Sequence, residues 1–293
     1  MKNLFYILIL SLLSNYSFAQ TQVPNPSFDL WTPNDLNPVG WATYESINNN
    51  NTFGLATKET VDVVSGPAAL KLHTAAIGAQ VVPGIAILGE NTKIQGGQIV
   101  NDGAPFTGRP DSIHLIFKYN ATGSDTGLIE IYLENEDSLI LDFSRVLFEV
   151  SPDWTYETYA LADLYESELA PTTIYGLIFN SLFSGSNLTT TLTLDGIFFT
   201  SAGSASNLLG QKIPEVIASI SPNPASDILT LSSEASIEGF KILIFNSAGK
   251  LVLSDEAAKS TRMDIKNIPS GTYNIIMMDL KSNPVYRSKF VKI

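Results

Sequence analysis

The chain has 293 residues, two histidines (His73 and His114) and no cysteine. That inventory limits the chemistry at once. Zinc sites are built from cysteine and histidine sets at short spacings, and no His-x-x-x-His pair is present. No Gly-x-Ser-x-Gly elbow and no glycine-rich phosphate loop occurs. His114 lies inside an alternating apolar segment and reads as a strand residue. Carboxylates are plentiful at Glu130, Glu134, Glu136 and Asp137. A glycosidase pair is defined in space rather than in sequence, and the run 134–137 reads as a solvated turn. No catalytic residue is singled out. Flat rings that could stack on sugar C–H faces are Trp41, Tyr44, Tyr119, Tyr132 and Trp154. Trp41 and Trp154 follow Pro-Val-Gly and Pro-Asp, strand entrances where a tryptophan often plugs a sandwich. Tyr44, near the asparagine run 48–51, is the ring expected to be exposed. Arg109, between Gly108 and Pro110, offers a planar fork to a carboxylate or to sugar hydroxyls; the alternative is a structural pair with an acid. The candidate ligand-binding set is therefore Tyr44, Arg109 and Trp41.

Short strands must position these groups. Ile113, Leu115, Phe117 and Tyr119 alternate with other residues, as do Ile129, Ile131 and Leu133, and Leu139, Leu141 and Phe143. Segments 174–179 and 192–199 are nearly continuous apolar runs. Period-two patterns broken by Gly, Asn, Asp and Ser predict an antiparallel β-sandwich. Ala160–Leu169 allows at most a short helical turn. No internal repeat is visible.

The last seventy-odd residues carry three ordered motifs: Ser221-Pro222-Asn223-Pro224-Ala225-Ser226-Asp227, then Ile268-Pro269-Ser270-Gly271-Thr272-Tyr273, then Lys289-Phe290-Val291-Lys292-Ile293. Prolines 222 and 224 exclude helix and give an extended entry. Ile228–Leu231, Phe240–Phe245, Leu251–Leu253, Tyr273–Met278 and 289–293 read as strands, with a turn at 246–250. The segment resembles the C-terminal sorting domain of Bacteroidetes type IX secretion cargo. That resemblance implies an immunoglobulin-like sandwich, passage through the periplasm to the outer surface, and recognition by the translocon. It also implies removal by a sortase and transfer of the upstream domain to anionic lipopolysaccharide. Gly271, Tyr273, Lys289 and Lys292 match its signal positions.

Upstream, Asn25-Pro26-Ser27-Phe28-Asp29-Leu30-Trp31 is followed by Pro38-Val39-Gly40-Trp41, the 64–72 segment Val-Ser-Gly-Pro-Ala-Ala-Leu-Lys-Leu, Trp154 and Leu194-Asp195-Gly196-Ile197. This order is similar to galactose-binding-like jelly rolls, which include many carbohydrate-binding modules. Residues 103–110, Gly-Ala-Pro-Phe-Thr-Gly-Arg-Pro, look more narrowly like the putative carbohydrate metabolism domain of Bacteroidetes surface proteins. One departure is Asp29, where that family more often has glutamate. The resemblance implies a structural calcium ion shared by Asp29 and Asp195, completed by backbone carbonyls.

A basic residue at position 2, an apolar core over 4–13 and Ser17-Phe18-Ala19 read as a signal peptide over 1–19. It is short for a membrane span. The expected organisation is a leader at 1–19, a jelly-roll domain at 20–201, a linker at 202–219 and a sorting domain at 220–293, the two domains folding independently. Hydrophobic residues at 44% and charged residues at 16% predict folded cores, and the net charge of −12 disfavours nucleic acid. The reading is an all-β, secreted or surface-bound carbohydrate-binding protein whose partner is a glycan. The alternatives are a polysaccharide hydrolase or lyase, or an adhesin.

Overall fold

The computed structural model describes residues 22–48, 52–95, 98–136, 138–147, 150–181, 187–200, 218–257, 261–280 and 284–293. The expected leader and nearly all of the expected linker lie outside these residues, as do 49–51 and Asp137.

The first body runs β1 (Trp41–Thr43), β2 (Ala56–Glu59), β3 (Ala69–His73), β4 (Ala75–Ile77), β5 (Gln80–Val82), β6 (Ile85–Leu88), β7 (Lys93–Gln95), β8 (Gln98–Val100), β9 (Ala104–Pro105), β10 (Ser112–Asn120), β11 (Gly127–Asn135), β12 (Ser138–Leu147), β13 (Ser151–Ala160), β14 (Thr173–Phe179) and β15 (Thr191–Thr200). A four-residue helix, α1 (Tyr44–Ile47), follows β1 and is held by a capping box between Thr43 and Ser46. The turn expected after Ala160 is a 3-10 helix at Ala162–Leu164.

Two sheets face each other as a jelly-roll sandwich. The front sheet has the order β1-β6-β14-β11-β12, with β9 added against β14; the back sheet has the order β13-β10-β15-β3-β2. Every named pairing in them is antiparallel. In β10 and β11 the inward rows are those the period-two patterns predict; in β12 Leu141 and Phe143 point inward, but a register shift leaves Leu139 exposed and buries Ile140 in its place. Ile113, Leu115, Phe117 and Tyr119 of β10 enter the core with Ile129, Ile131 and Leu133 of β11.

The C-terminal body is a smaller sandwich of β16 (Ala218–Ser221), β17 (Ile228–Ser233), β18 (Lys241–Asn246), β19 (Leu251–Glu256), β20 (Thr261–Asp264), β21 (Gly271–Met278) and β22 (Pro284–Lys292). Its sheets are β16-β17-β20 and β19-β18-β21-β22. Ile242, Ile244, Ile275 and Met277 fill its interior.

The two bodies share a third apolar cluster. Ile116, Trp154, Tyr156 and Phe198 on the outer side of the back sheet pack with Leu243, Phe245, Ile276 and Met278 of the smaller sandwich. Among the described residues the four larger sheets thus stack in series, beside the hairpins β4-β5 and β7-β8. Each sandwich has its own interior, and this shared layer is additional to the expected picture. The physical reason lies in β18 and β21, where every second residue in Ile242–Phe245 and Ile275–Met278 is an outward-facing hydrophobe needing a second apolar layer.

Trp41 is 1% exposed. Its indole N–H donates to the Pro24 carbonyl at 3.1 Å, and its ring meets Phe28 with centroids 5.3 Å apart. It is a core plug, which corrects its assignment as a ligand-binding ring: no face is free for a sugar. Trp41→Ala should destabilise the first sandwich by about 3–5 kcal/mol, read as a loss of melting temperature. An unchanged melt would contradict this placement.

Candidate functional site

Of the two outer faces of the sandwich, the back one packs on the smaller sandwich; among the described residues the front one carries a groove. On the front sheet, β14 alternates inward Ile174, Gly176 and Ile178 with half-buried Thr173, Tyr175, Leu177 and Phe179. Register places Tyr175 directly opposite Tyr132 of β11, and Tyr132 opposite Asp142 of β12. Directly opposite side chains on neighbouring strands lie about 5 Å apart, so Asp142, Tyr132 and Tyr175 form one row. A groove of about 310 Å³ lies over this row, lined by Tyr132, Tyr175, Leu177, Phe179, Ile99 and Asn101 among others. On the core side of the same strand, a Cβ on Gly176 would stand 3.3 Å from the Trp41 ring. Trp41 therefore supports the floor of the groove from beneath.

Acids surround the two phenols. Burial, then a hydrogen bond to Glu130, then the charges of Glu130 and Asp142 push the Tyr132 hydroxyl up to about 12. Burial first, then Glu134 and Asp102, raise Tyr175. Both stay protonated at neutral pH, each offering one O–H donor and an acceptor oxygen. Glu130 also accepts from Ser144 Oγ at 3.0 Å. Tyr132 was visible as a candidate in the sequence. Tyr175 was missed inside the apolar run 174–179; the signal was the alternation Thr173, Tyr175, Leu177, Phe179 against Ile174, Gly176, Ile178.

Tyr44 is half-buried on α1 and meets Phe53 edge-on, with centroids 5.8 Å apart. It does not line the tyrosine groove. Arg109 is committed within the protein. Its Nη1 donates to the carbonyls of Ser167 and Leu169 at 2.7 and 2.8 Å, and its guanidinium lies 4.1 Å from the Tyr165 ring centre. This corrects its assignment as a ligand-binding group. Its fork clamps the 165–169 segment through these main-chain oxygens, and the Glu168 carboxylate 4.0 Å away supplies the acid partner of the alternative reading.

Asp29 and Asp195 come together at the segment 64–68. Strand pairing steps from Ile116↔Gly196 to Phe117↔Leu194, leaving Asp195 in a β-bulge that re-aims its side chain. Its Oδ2 accepts from the Val64 and Ser65 amides at 2.5 and 3.3 Å, and its Oδ1 from Ser65 Oγ at 3.1 Å. Asp29 accepts from Ser27 Oγ at 2.8 Å and from the Ala68 amide at 3.4 Å. Between them sits Gly66, at φ +63°, where a Cβ would fall 1.9 Å from an Asp29 oxygen. Burial raises Asp195 well above the ordinary carboxylate range, against the pull of its hydrogen bonds; the charge of Asp29 adds to the rise. In charge and convergence the pair fits a divalent cation. In number it is short, since calcium takes six to eight oxygens. Among the described residues no three acids or histidines gather as a metal cluster, so loop carbonyls would have to supply the remainder.

The four expected signal residues share one ladder. Gly271 pairs with Lys292, Tyr273 with Phe290 and Asn274 with Lys289. Tyr273 stacks on Phe290 at 5.4 Å and donates to the Pro269 carbonyl at 2.7 Å. The proline-rich entry joins the same edge. Asn223 Nδ2 donates to the Lys289 carbonyl at 3.1 Å, and Asn223 Oδ1 accepts from the Val291 amide at 3.0 Å. The three sequence motifs are therefore one structural unit. Residues 219–292 match the family model described as a secretion system C-terminal sorting domain. The smaller sandwich is that sorting domain. It marks the chain as a secreted or cell-surface protein exported by the type IX system.

Solved structures similar to the chain are distant. The glycoside hydrolase domain of Endo-D from Streptococcus pneumoniae R6 shares 8% identity at a TM-score of 0.38, covering 86% of this chain and 36% of that one. A carbohydrate-binding module in complex with beta-1,4-galactotriose shares 6% at 0.37, covering 63% and 100%. A module specific for non-crystalline cellulose shares 11% at 0.36, covering 63% and 97%. This chain spans only 36% and 27% of the two glycosidase chains it resembles. Likeness at this level carries no functional argument. No curated protein matches the chain.

The back sheet, beneath the sorting domain, holds a buried polar network. His114 is 3% exposed. Its Nδ1 shares hydrogen bonds with Tyr156 Oη at 2.7 Å and Thr158 Oγ1 at 2.9 Å, and its Nε2 with Thr200 Oγ1 at 2.8 Å. Burial, and secondarily Arg287 of the sorting domain, hold its imidazole down at about 4. An unfolded histidine takes a proton near 6.5. As pH falls below 6.5 the unfolded chain binds a proton that the folded chain refuses. Stability from this group is full above 6.5 and falls by about 3 kcal/mol on reaching pH 4. Asp195, raised in the fold, acts in the opposite direction. His114→Gln should therefore flatten the drop in melting temperature between pH 6.5 and 4. Equal slopes for variant and parent would show that His114 does not titrate in this way.

Proposed function

We propose that the first sandwich is a non-catalytic glycan-binding module. It spans roughly 20–201, reaches the cell surface through its sorting domain, and stacks a neutral sugar on Tyr132 and Tyr175. The observation that carries this reading is the side-by-side pair of tyrosines in a groove on the face of the sandwich opposite the sorting domain. Flat rings meet the C–H faces of a pyranose, and nearby hydroxyl, amide and carboxylate groups orient its hydroxyls. Glu130, Glu134, Asp102 and Asp142 beside the phenols disfavour uronate or sulfated chains through like-charge repulsion. The remaining expected partners belong to the same proposal: a translocon that reads the ladder holding Gly271, Tyr273, Lys289 and Lys292, a sortase, and anionic lipopolysaccharide as the anchor.

The test is a glycan array followed by calorimetry on the full chain. Tyr175→Ala and Tyr132→Ala should each weaken binding of a neutral oligosaccharide at least tenfold, about 1.4 kcal/mol, with the melting temperature within a few degrees of the parent. Full affinity in both variants would reject the site. Bond cleavage in the hits, lost in Glu130→Gln, would turn the reading toward the hydrolase alternative.

The proposal includes a structural calcium ion between Asp29 and Asp195, because two carboxylates from opposite ends of the domain converge on one glycine-containing loop. Calcium should raise the melting temperature of the parent over its value in chelator, and Asp29→Asn should abolish the difference. A parent that melts identically in calcium and in chelator would leave a latch made of protein alone.

A further inference from the structure

The sorting domain has two apolar faces, although a free-standing sandwich needs only one. Along β18, Ile242 and Ile244 enter its own core while Leu243 and Phe245 point the other way; along β21, Ile275 and Met277 enter the core while Ile276 and Met278 point away. These four outward side chains are at most 2% exposed in the full chain. Their seat is Ile116, Trp154, Tyr156 and Phe198 on the back sheet of the first sandwich.

The contact has a fixed register. The Tyr156 amide donates to the Gly249 carbonyl at 2.7 Å, and Thr155 bridges Lys250 as a single antiparallel pair. Gly249 has φ +79°, and a Cβ there would stand 2.3 Å from the Tyr156 carbonyl oxygen. The turn that presents it is built by Asn246, whose side-chain oxygen accepts from the amides of Ala248 and Lys250 at 3.0 Å each. Around the rim, Lys250 pairs with Asp153 at 2.6 Å, and the Arg287 guanidinium lies 5.6 Å from the Tyr156 ring centre. Tyr156 also packs its ring on Phe245 at 5.1 Å between centroids. A main-chain bond, a glycine whose Cβ position the Tyr156 carbonyl would fill, an ion pair and a closed apolar cluster make this a built interface.

We propose that the sorting domain reads the folded state of its own passenger: its outer face closes only on an intact surface formed by β10, β13 and β15. When the passenger is folded, Leu243, Phe245, Ile276 and Met278 are hidden. When it is not, the sorting domain carries four contiguous hydrophobes in the open, the kind of patch that marks a surface for another partner. Export-competent and misfolded chains thus differ on the sorting domain itself. This inference is independent of the glycan reading.

Hydrogen exchange on the full chain tests it. In the parent, the Tyr156 amide should exchange as slowly as amides in the sandwich cores. Gly249→Val should speed it at least tenfold, while the β17–β20 amides keep their protection. Leu115→Ala, which weakens only the passenger core, should also speed exchange at the Leu243 and Ile276 amides by severalfold. A Tyr156 amide that exchanges like an exposed loop, or a sorting domain indifferent to Leu115→Ala, would overturn the proposal. If Gly249→Val fails to fold, Lys250→Glu replaces it. Its faster exchange at Tyr156 should be reversed by adding Asp153→Lys, and no change in either would count equally against the interface.

Discussion

Burial of both faces of a β-sheet is the constraint on which this molecule depends. A sheet in a two-layer sandwich hides one side and wets the other. Here the back sheet of the passenger and the β19-β18-β21-β22 sheet of the sorting domain lie between apolar layers on both sides. Each fully buried large hydrophobe contributes roughly 1.5–3 kcal/mol relative to exposure, so Phe198, Phe245 and Ile276 make the junction energetically comparable to part of a core. The chain has no cysteine to staple its domains. Layer-on-layer packing does that work.

The same constraint explains what could be read from sequence. Strands with one wet face alternate, and β11 was legible for that reason; β10 was legible from its inward row Ile113, Leu115, Phe117 and Tyr119, although Ile116 on its other face is buried too. The unbroken runs Ile242–Phe245 and Ile275–Met278 were legible as strands, while their meaning as two-sided burial was hidden, because a run does not say what covers its second face. Only the entrance of β13, at Trp154, was legible: its outer residues are Trp154, Tyr156 and Thr158 against inner Thr155, Glu157 and Tyr159, a pattern with little hydrophobic contrast.

Site residues divided along similar lines. Arg109 was seen as a fork with an acid as one possible partner, but the two carbonyls and the Glu168 carboxylate that it meets lie some sixty positions away, and no local pattern specifies those. The meeting of Asp29 and Asp195 was expected from the resemblance their motifs carry, while the bulge that aims Asp195 is not displayed in the letters. The tyrosine row depends on register between β11 and β14. Residue type suggested Tyr132, and only the pairing supplied Tyr175.

The stacking order also separates the sorting domain from the groove proposed to bind glycan. The sorting domain seals the back sheet, and the tyrosine groove opens on the front sheet, with the passenger core between them. Packed sheets lie about 10 Å apart, so a ligand on the groove touches neither Phe245 nor Gly249. The groove floor rests on Trp41 and Gly176, the interface on Ile116 and Phe198, and both sets are anchored in strands that share one interior. Ligand and sorting domain can therefore occupy the passenger at the same time, while loss of that interior removes both surfaces together. A check on passenger folding at the back face is then also a check on the binding face, because neither face exists without the layer between them.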